Sequence, residues 1–196
     1  MVEANYEYES QKVPMCTAYI CRKQEYWTMT SGTAGQLYGN HYIWFFDTVW
    51  ETYLDSPGAL QMIHLKNLFS IRRWYDLIPD INHTVMTAGY GTYSDTATVD
   101  INTYATIAKT LDGRLAIAYI PVIRQVTISM SNFPGSVTAR WFDPSNGAWY
   151  SISGSPFPNT GTHNFTPFGD NGDGDEDWVL VLESDFETTV SWGVSA

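Results

Sequence analysis

The spacing of apolar residues changes once along the chain, and that change restricts the possible folds more than any other feature. Up to about residue 79 apolar residues recur at helical intervals; beyond Tyr104 they alternate in short runs separated by turn residues. Residues 17–31 (TAYICRKQEYWTMTS) lack Gly and Pro and carry Ala18, Cys21 and Trp27 among polar residues, which predicts a helix closed by Gly32. The Gly-bounded stretch 34–39 predicts a buried strand, and the aromatic run 41–46 its exit loop. Ser56-Pro57 predicts a second helix start, with the Ser56 hydroxyl accepting from an orphan N–H and Pro57 where no N–H is needed. Leu60, Ile63, Leu68 and Ile71 then mark an apolar stripe that ends near Arg73.

The second part reads differently. YATIAK, RLAIAYI, QVTISM, SVTARWFD, AWYSI, THNFT, WVLVLE and TTVSWG are short strand-like runs, several of them separated by turn signals such as Asp112-Gly113 and Phe133-Pro134-Gly135. Short strands with no helix between them predict an antiparallel sandwich. The expectation is an α+β chain in two parts, residues 1–90 and 91–196, with the switch inside the Gly/Thr/Ser-rich stretch 85–102. One or two β/α units cannot bury both faces of a parallel sheet, so the first part is expected to be incomplete, its other strands lost or supplied by a partner.

Charge narrows the partners. The formal net charge is −11 and basic residues never cluster beyond pairs such as Arg72-Arg73, which argues against nucleic acid and anionic membranes and for a neutral or weakly charged partner. No apolar run approaches the length of a membrane span, and residues 1–30 carry no signal-peptide pattern. Cys16 and Cys21, read as lying in one helix, should point in different directions, which argues against a disulfide or a metal pair. The acidic stretch 170–177 could offer carboxylates to calcium, but it does not follow the EF-hand spacing and reads as a solvated hairpin loop. Trp141, Trp149 and Trp178 read as core. His64, His83 and His163 show no ligand set, and neither a metal nor another cofactor is expected.

The runs VEANYEYE, YWTMTSGTAGQLYGNHYIW, LDSPGALQM and WYDLIPD, in that order, resemble the last two β/α units of the apiosidase-like glycoside hydrolases. The region from DGRLAIAYIPVIRQVTISMS to DWVLVLE resembles the collagen-binding-type β-sandwich that commonly follows that barrel. The resemblance implies a partial (β/α) barrel followed by the sandwich. It also implies a retaining hydrolase of polysaccharide glycosidic bonds, for which two carboxyl groups are needed. Glu3-Ala4-Asn5-Tyr6-Glu7 occupies the place of a Glu-Pro-x-Tyr-Glu motif, with Ala4 where the family usually has Pro. By that likeness Glu3 is the candidate nucleophile and Glu7 the second choice, while the acid/base would come from an earlier strand. Tyr38, Asn40, His41 and Trp44 match a Tyr-Gly-x-His-x-x-Trp segment and are candidate sugar contacts; the alternative is that such aromatics cap the barrel core. The expected partners are carbohydrate and the missing barrel portion, and full-length relatives are secreted or periplasmic. The reading is thus the C-terminal end of a glycoside hydrolase, not active alone. The alternative is a non-catalytic module that binds glycan or collagen or is purely structural.

Overall fold

The computed structural model describes residues 4–10 and 15–184. Among these residues, nine strands form two antiparallel sheets. The larger contains β1 (Leu77–Pro79), β3 (Thr106–Thr110), β4 (Leu115–Ile120), β6 (Val137–Phe142), β7 (Trp149–Ser151) and β9 (Trp178–Ser184), in the order β1-β3-β4-β9-β6-β7. The smaller has β2 (Met86–Ala88), β5 (Val126–Ser129) and β8 (Thr162–Phe165), in the order β2-β5-β8. Seven of the eight predicted strand runs fall on β3 to β9, and the eighth, TTVSWG, lies outside the described residues. The sandwich starts earlier than the expected division at 90/91, because β1 already pairs with β3 and β2 with β5. Both early strands are three residues long, too short to show alternation.

At the centre, every residue of β4 and β9 is buried. Alternate side chains point to opposite faces of a strand, so each face needs its own cover. Ala116, Ala118, Ile120, Trp178, Leu180 and Leu182 join the core shared with the small sheet. Leu115, Ile117, Tyr119, Val179 and Val181 pack instead against α1 (Ala18–Thr30) and α3 (Pro57–Ser70), which supply Tyr26, Met29, Leu65, Leu68 and Phe69. The chain is therefore three layers: helix pair, six-stranded sheet, three-stranded sheet. Between α1 and α3 lies only the single turn α2 (His41–Trp44) and a 3₁₀ turn, so residues 41–46, expected as a loop, begin as a short helix.

The buried face of α3 differs from the predicted stripe. Gly58, Gln61, Leu65, Leu68 and Phe69 are buried, whereas Leu60, Ile63 and Ile71 are exposed. The helix is apolar on several sides, so periodicity could not select the face; the sheet and Arg22 of α1 select it. Arg22 is fully buried and binds Asp177 bidentately, Nε to Oδ2 at 2.9 Å and a terminal nitrogen to Oδ1 at 2.7 Å. It also donates to Asp175 at 2.8 Å and to Gln61 at 2.6 Å. Burial alone would lower the guanidinium pKa, but the charge and hydrogen bonds of Asp177 outweigh it and hold the pKa above its ordinary value. The acidic stretch is exposed over most of its length, as expected of a solvated loop, but its buried end is not free: Asp177 and the half-buried Asp175 bind Arg22, about 150 residues earlier in the chain.

A second ionic link ties the end of α3 to the sheet. Glu183 accepts from Arg72 Nε at 2.9 Å and from Arg140 at 2.6 Å, and both guanidinium groups lie over the Trp149 ring. Trp141 and Trp178 are core as expected; Trp149, on the edge strand β7, is partly exposed and serves as the arginine platform. Among the described residues no helix is long and apolar enough to cross a membrane.

Candidate functional site

The segment carrying Glu7 and the residues leading into α2 meet through one parallel bridge, Glu7 with Asn40. Glu7 N–H donates to Gly39 O and His41 N–H to Glu7 O, both at 2.9 Å. No full strand forms over 34–39, where one had been expected. What remains is one parallel bridge between two segments, each followed later in the chain by a long helix, α1 or α3, in the order that a β/α unit would have. In barrels of such units, chemistry gathers where strands end and helices begin.

Glu7 lies at that point, 1% exposed. Its Oε2 accepts from Tyr38 Oη at 2.5 Å and from Ser56 Oγ at 2.7 Å, and its Oε1 accepts from the Gly58 N–H at 3.0 Å. The carboxylate therefore caps the N-terminus of α3, where free N–H groups and the helix dipole favour an anion. Ser56 was expected to cap this helix itself; its side chain makes no such bond and donates to Glu7 instead. Asn40 Nδ2 donates to Ser56 Oγ at 3.1 Å, while Asn40 Oδ1 accepts from Tyr42 N–H and caps α2. Burial, followed by the bond to Glu7, raises the Tyr38 pKa, so the phenol stays a donor.

Two glycines make room for this arrangement. A Cβ on Gly58 would sit 2.7 Å from Glu7 Oε2, and one on Gly39 would sit 2.4 Å from the Tyr6 ring. Neither position tolerates a side chain without moving the cluster.

The structure thus brings Glu7, Tyr38 and Asn40 together in one buried network. His41 joins it through its backbone, and its Nδ1 is buried with no partner among the described residues, as are Gln36 Oε1 and Glu25 Oε2. Trp44 faces outward, 51% exposed, edge-on to Tyr6 and tilted against Phe45. Its neighbours Phe45 and Phe46 are also exposed. Glu3 lies outside the described residues. Sequence reasoning missed Ser56 and Gly58 as members of the cluster; the Ser-Pro-Gly helix start was the available signal, but it pointed to local capping only. No group of His, Cys, Asp and Glu suited to a metal ion occurs among the described residues.

Cys16 and Cys21 adjoin this cluster. Cys16 precedes the N-cap Thr17, whose backbone is extended, so it is off the helical spiral on which the predicted divergence rested. The two sulfurs are buried and 3.1 Å apart. Their shared hydrogen bond, then burial, raise the Cys21 thiol pKa.

Residues 1–76 match the family described as "Apiosidase-like, catalytic domain" and residues 96–183 the one described as "Putative collagen-binding domain of a collagenase". No curated protein matches the chain. A solved structure titled "Glycoside hydrolase" aligns with 91% of this chain and 39% of its own length, at 23% identity and a TM-score of 0.74. A glycoside hydrolase family 5 structure from Bacteroides vulgatus aligns with 91% of this chain and 38% of its own, at 21% identity and a TM-score of 0.73. This chain spans less than two fifths of the length of either, and at these identities the likeness is one of fold.

Proposed function

We propose that a chain joining an apiosidase-like catalytic segment to a collagen-binding-type sandwich supplies the closing β/α units of a glycoside hydrolase barrel, with the sandwich as their buttress. The observation that carries the reading is the Glu7 to Asn40 parallel bridge, with an anchored carboxylate at the start of the helix that follows. That arrangement supports a place at a barrel's catalytic face.

Within this reading Glu7 is a positioning residue. A carboxylate nucleophile needs an open line to the anomeric carbon, and Glu7 is buried with three donors on its two oxygens. Glu3, four residues earlier, is the nucleophile in this proposal. The acid/base carboxyl is supplied by preceding β/α units. Trp44 offers an exposed ring on which a sugar can stack. The substrate is a neutral poly- or oligosaccharide.

The test is hydrolysis of aryl glycosides by the chain alone and by the chain joined behind the preceding β/α units of the glycoside hydrolase structure it matches. Turnover is expected only in the joined form, abolished by Glu3→Gln and reduced, with a lowered unfolding temperature, by Glu7→Gln. Full activity of joined Glu3→Gln, or turnover by the chain alone, would overturn the proposal.

A second reading, glycan binding by the sandwich, has one observation in its favour. A half-open cleft of about 240 Å³ beside β1 and β3 is lined by Tyr93, Tyr104, His83 and Ser31, with the Tyr93 ring 70% exposed. Retention of the chain on insoluble polysaccharide, lost in Tyr93→Ala, would support it; equal retention of both proteins would refute it.

A further inference from the structure

We propose that Cys16 and Cys21 are a disulfide-forming pair that locks the start of α1 onto the residue hydrogen-bonded to the Glu7 segment. Four observations converge on it. The sulfurs are 3.1 Å apart, about 1 Å beyond a bonded pair, so closure needs only small side-chain rotations. Both cysteines are buried, 3% and 1% exposed, and both sulfurs face the same carbonyl, Asn5 O, at 3.9 and 3.7 Å. Cys16 is paired through its backbone to the Glu7 segment: Tyr8 N–H donates to Cys16 O at 2.8 Å and Cys16 N–H to Glu9 O at 2.9 Å. Cys21 is followed directly by Arg22, which is bonded to Asp177 of the sandwich.

The bond would stiffen the start of α1, which lies between the hydrogen-bonded Glu7 segment on one side and Arg22 with its sandwich carboxylates on the other. Its apolar surroundings, Ile20 with the partly buried Tyr19, Tyr38 and Val99, shield the pair from reductants. The reaction is thiol–disulfide exchange with oxidised glutathione. One cysteine sulfur, as thiolate, attacks the glutathione disulfide and expels one glutathione thiolate. The other cysteine, as thiolate, then attacks the mixed disulfide and expels the second. Two protein thiols and one glutathione disulfide give one protein disulfide and two glutathione thiols, with no net proton change.

The experiment uses the wild-type chain of 196 residues. It is refolded from the reduced state in glutathione redox buffers, acid-quenched, alkylated and weighed by mass spectrometry, with peptide mapping of the 16–21 link. A parallel series is run in concentrated guanidinium chloride. A monomer lighter by two hydrogens, without alkyl groups, is expected. Its equilibrium constant against glutathione should be at least about tenfold larger in native buffer than in denaturant, because the fold holds the thiols together. Equal constants in the two series, two alkylated cysteines at equilibrium, or glutathione trapped on one cysteine would each overturn the proposal.

Discussion

Replacing Arg22 with Met tests whether the helix pair and the sandwich are held together by one buried cation. The side chain is 0% exposed and donates to Asp177, Asp175 and Gln61. Met preserves most of the volume and removes the charge. Asp177, also 0% exposed, would then keep only Tyr119 Oη and Asn171 Nδ2 as side-chain donors. Removing one partner of a buried pair costs about 3–5 kcal/mol, because the remaining charge is desolvated without compensation. The lost bond to Gln61 adds about 1 kcal/mol. For a chain of this size, that total lowers the melting temperature by on the order of 10 °C. Urea titration followed by tryptophan fluorescence measures the cost, with an unchanged denaturant slope showing that the native fold persists. The double variant Arg22→Met/Asp177→Asn should recover about 2 kcal/mol relative to the sum of the single changes. A cost below about 1 kcal/mol for Arg22→Met, or strict additivity in the cycle, would refute the argument that this pair joins the layers.

Gly58→Ala should destabilise by about 1–3 kcal/mol in urea titration, although Ala is the better helix former, because the added methyl meets Glu7 Oε2; a neutral or stabilising result would show that the cap can shift freely. Glu25 is buried on α1, and burial raises its pKa from 4.5 to about 8, so the folded chain holds a proton that the unfolded chain releases above about pH 4.5. Its contribution to stability is therefore full below about pH 4.5 and is lost as the pH rises through about 8. Glu25→Gln should match the wild-type melting temperature near pH 4.5 and exceed it at pH 8; equal melting temperatures across that window would count against a neutral Glu25. Glu183→Gln should cost about 3 kcal/mol and red-shift tryptophan emission, since Arg72 and Arg140 lose the carboxylate that holds them over Trp149; an unchanged spectrum would argue against that platform.

The strands were legible as short runs set between turn residues, but nothing in those runs showed that LAIAYI and WVLVLE lie at the centre of a sheet covered on both faces. What covers them was not legible. The face of α3 could not be chosen from a helix with Leu60 and Ile63 on one side and Leu65 and Leu68 on another. The anchor at the end of the acidic stretch was not legible because its cation is remote in sequence, and no local rule links residue 22 to residue 177. The direction of the two cysteine side chains was misread for a local reason: Thr17 starts the helix one residue after Cys16, so a spacing of five does not set the angle between them. At the site, the resemblance pointed to the residues that gather there but not to their roles. Glu7, Tyr38 and Asn40 form the frame of a helix start, which depends on a serine and a glycine far along the chain.

This placement bears on whether the sandwich could act as a separate module. Leu115, Ile117, Tyr119, Val179 and Val181 face α1 and α3 rather than the small sheet. Uncovering five such side chains would cost about 8–15 kcal/mol, as much as the whole stability of a typical domain. Residues 77–196 made separately should therefore fold poorly or associate through the uncovered face. A piece cut at residue 91 would also lack β1 and β2, one strand from each sheet. Binding assays on the sandwich need the helices attached. By the same reasoning the helix pair depends on the sandwich, because its buried arginine finds its carboxylates on the loop that leads into β9.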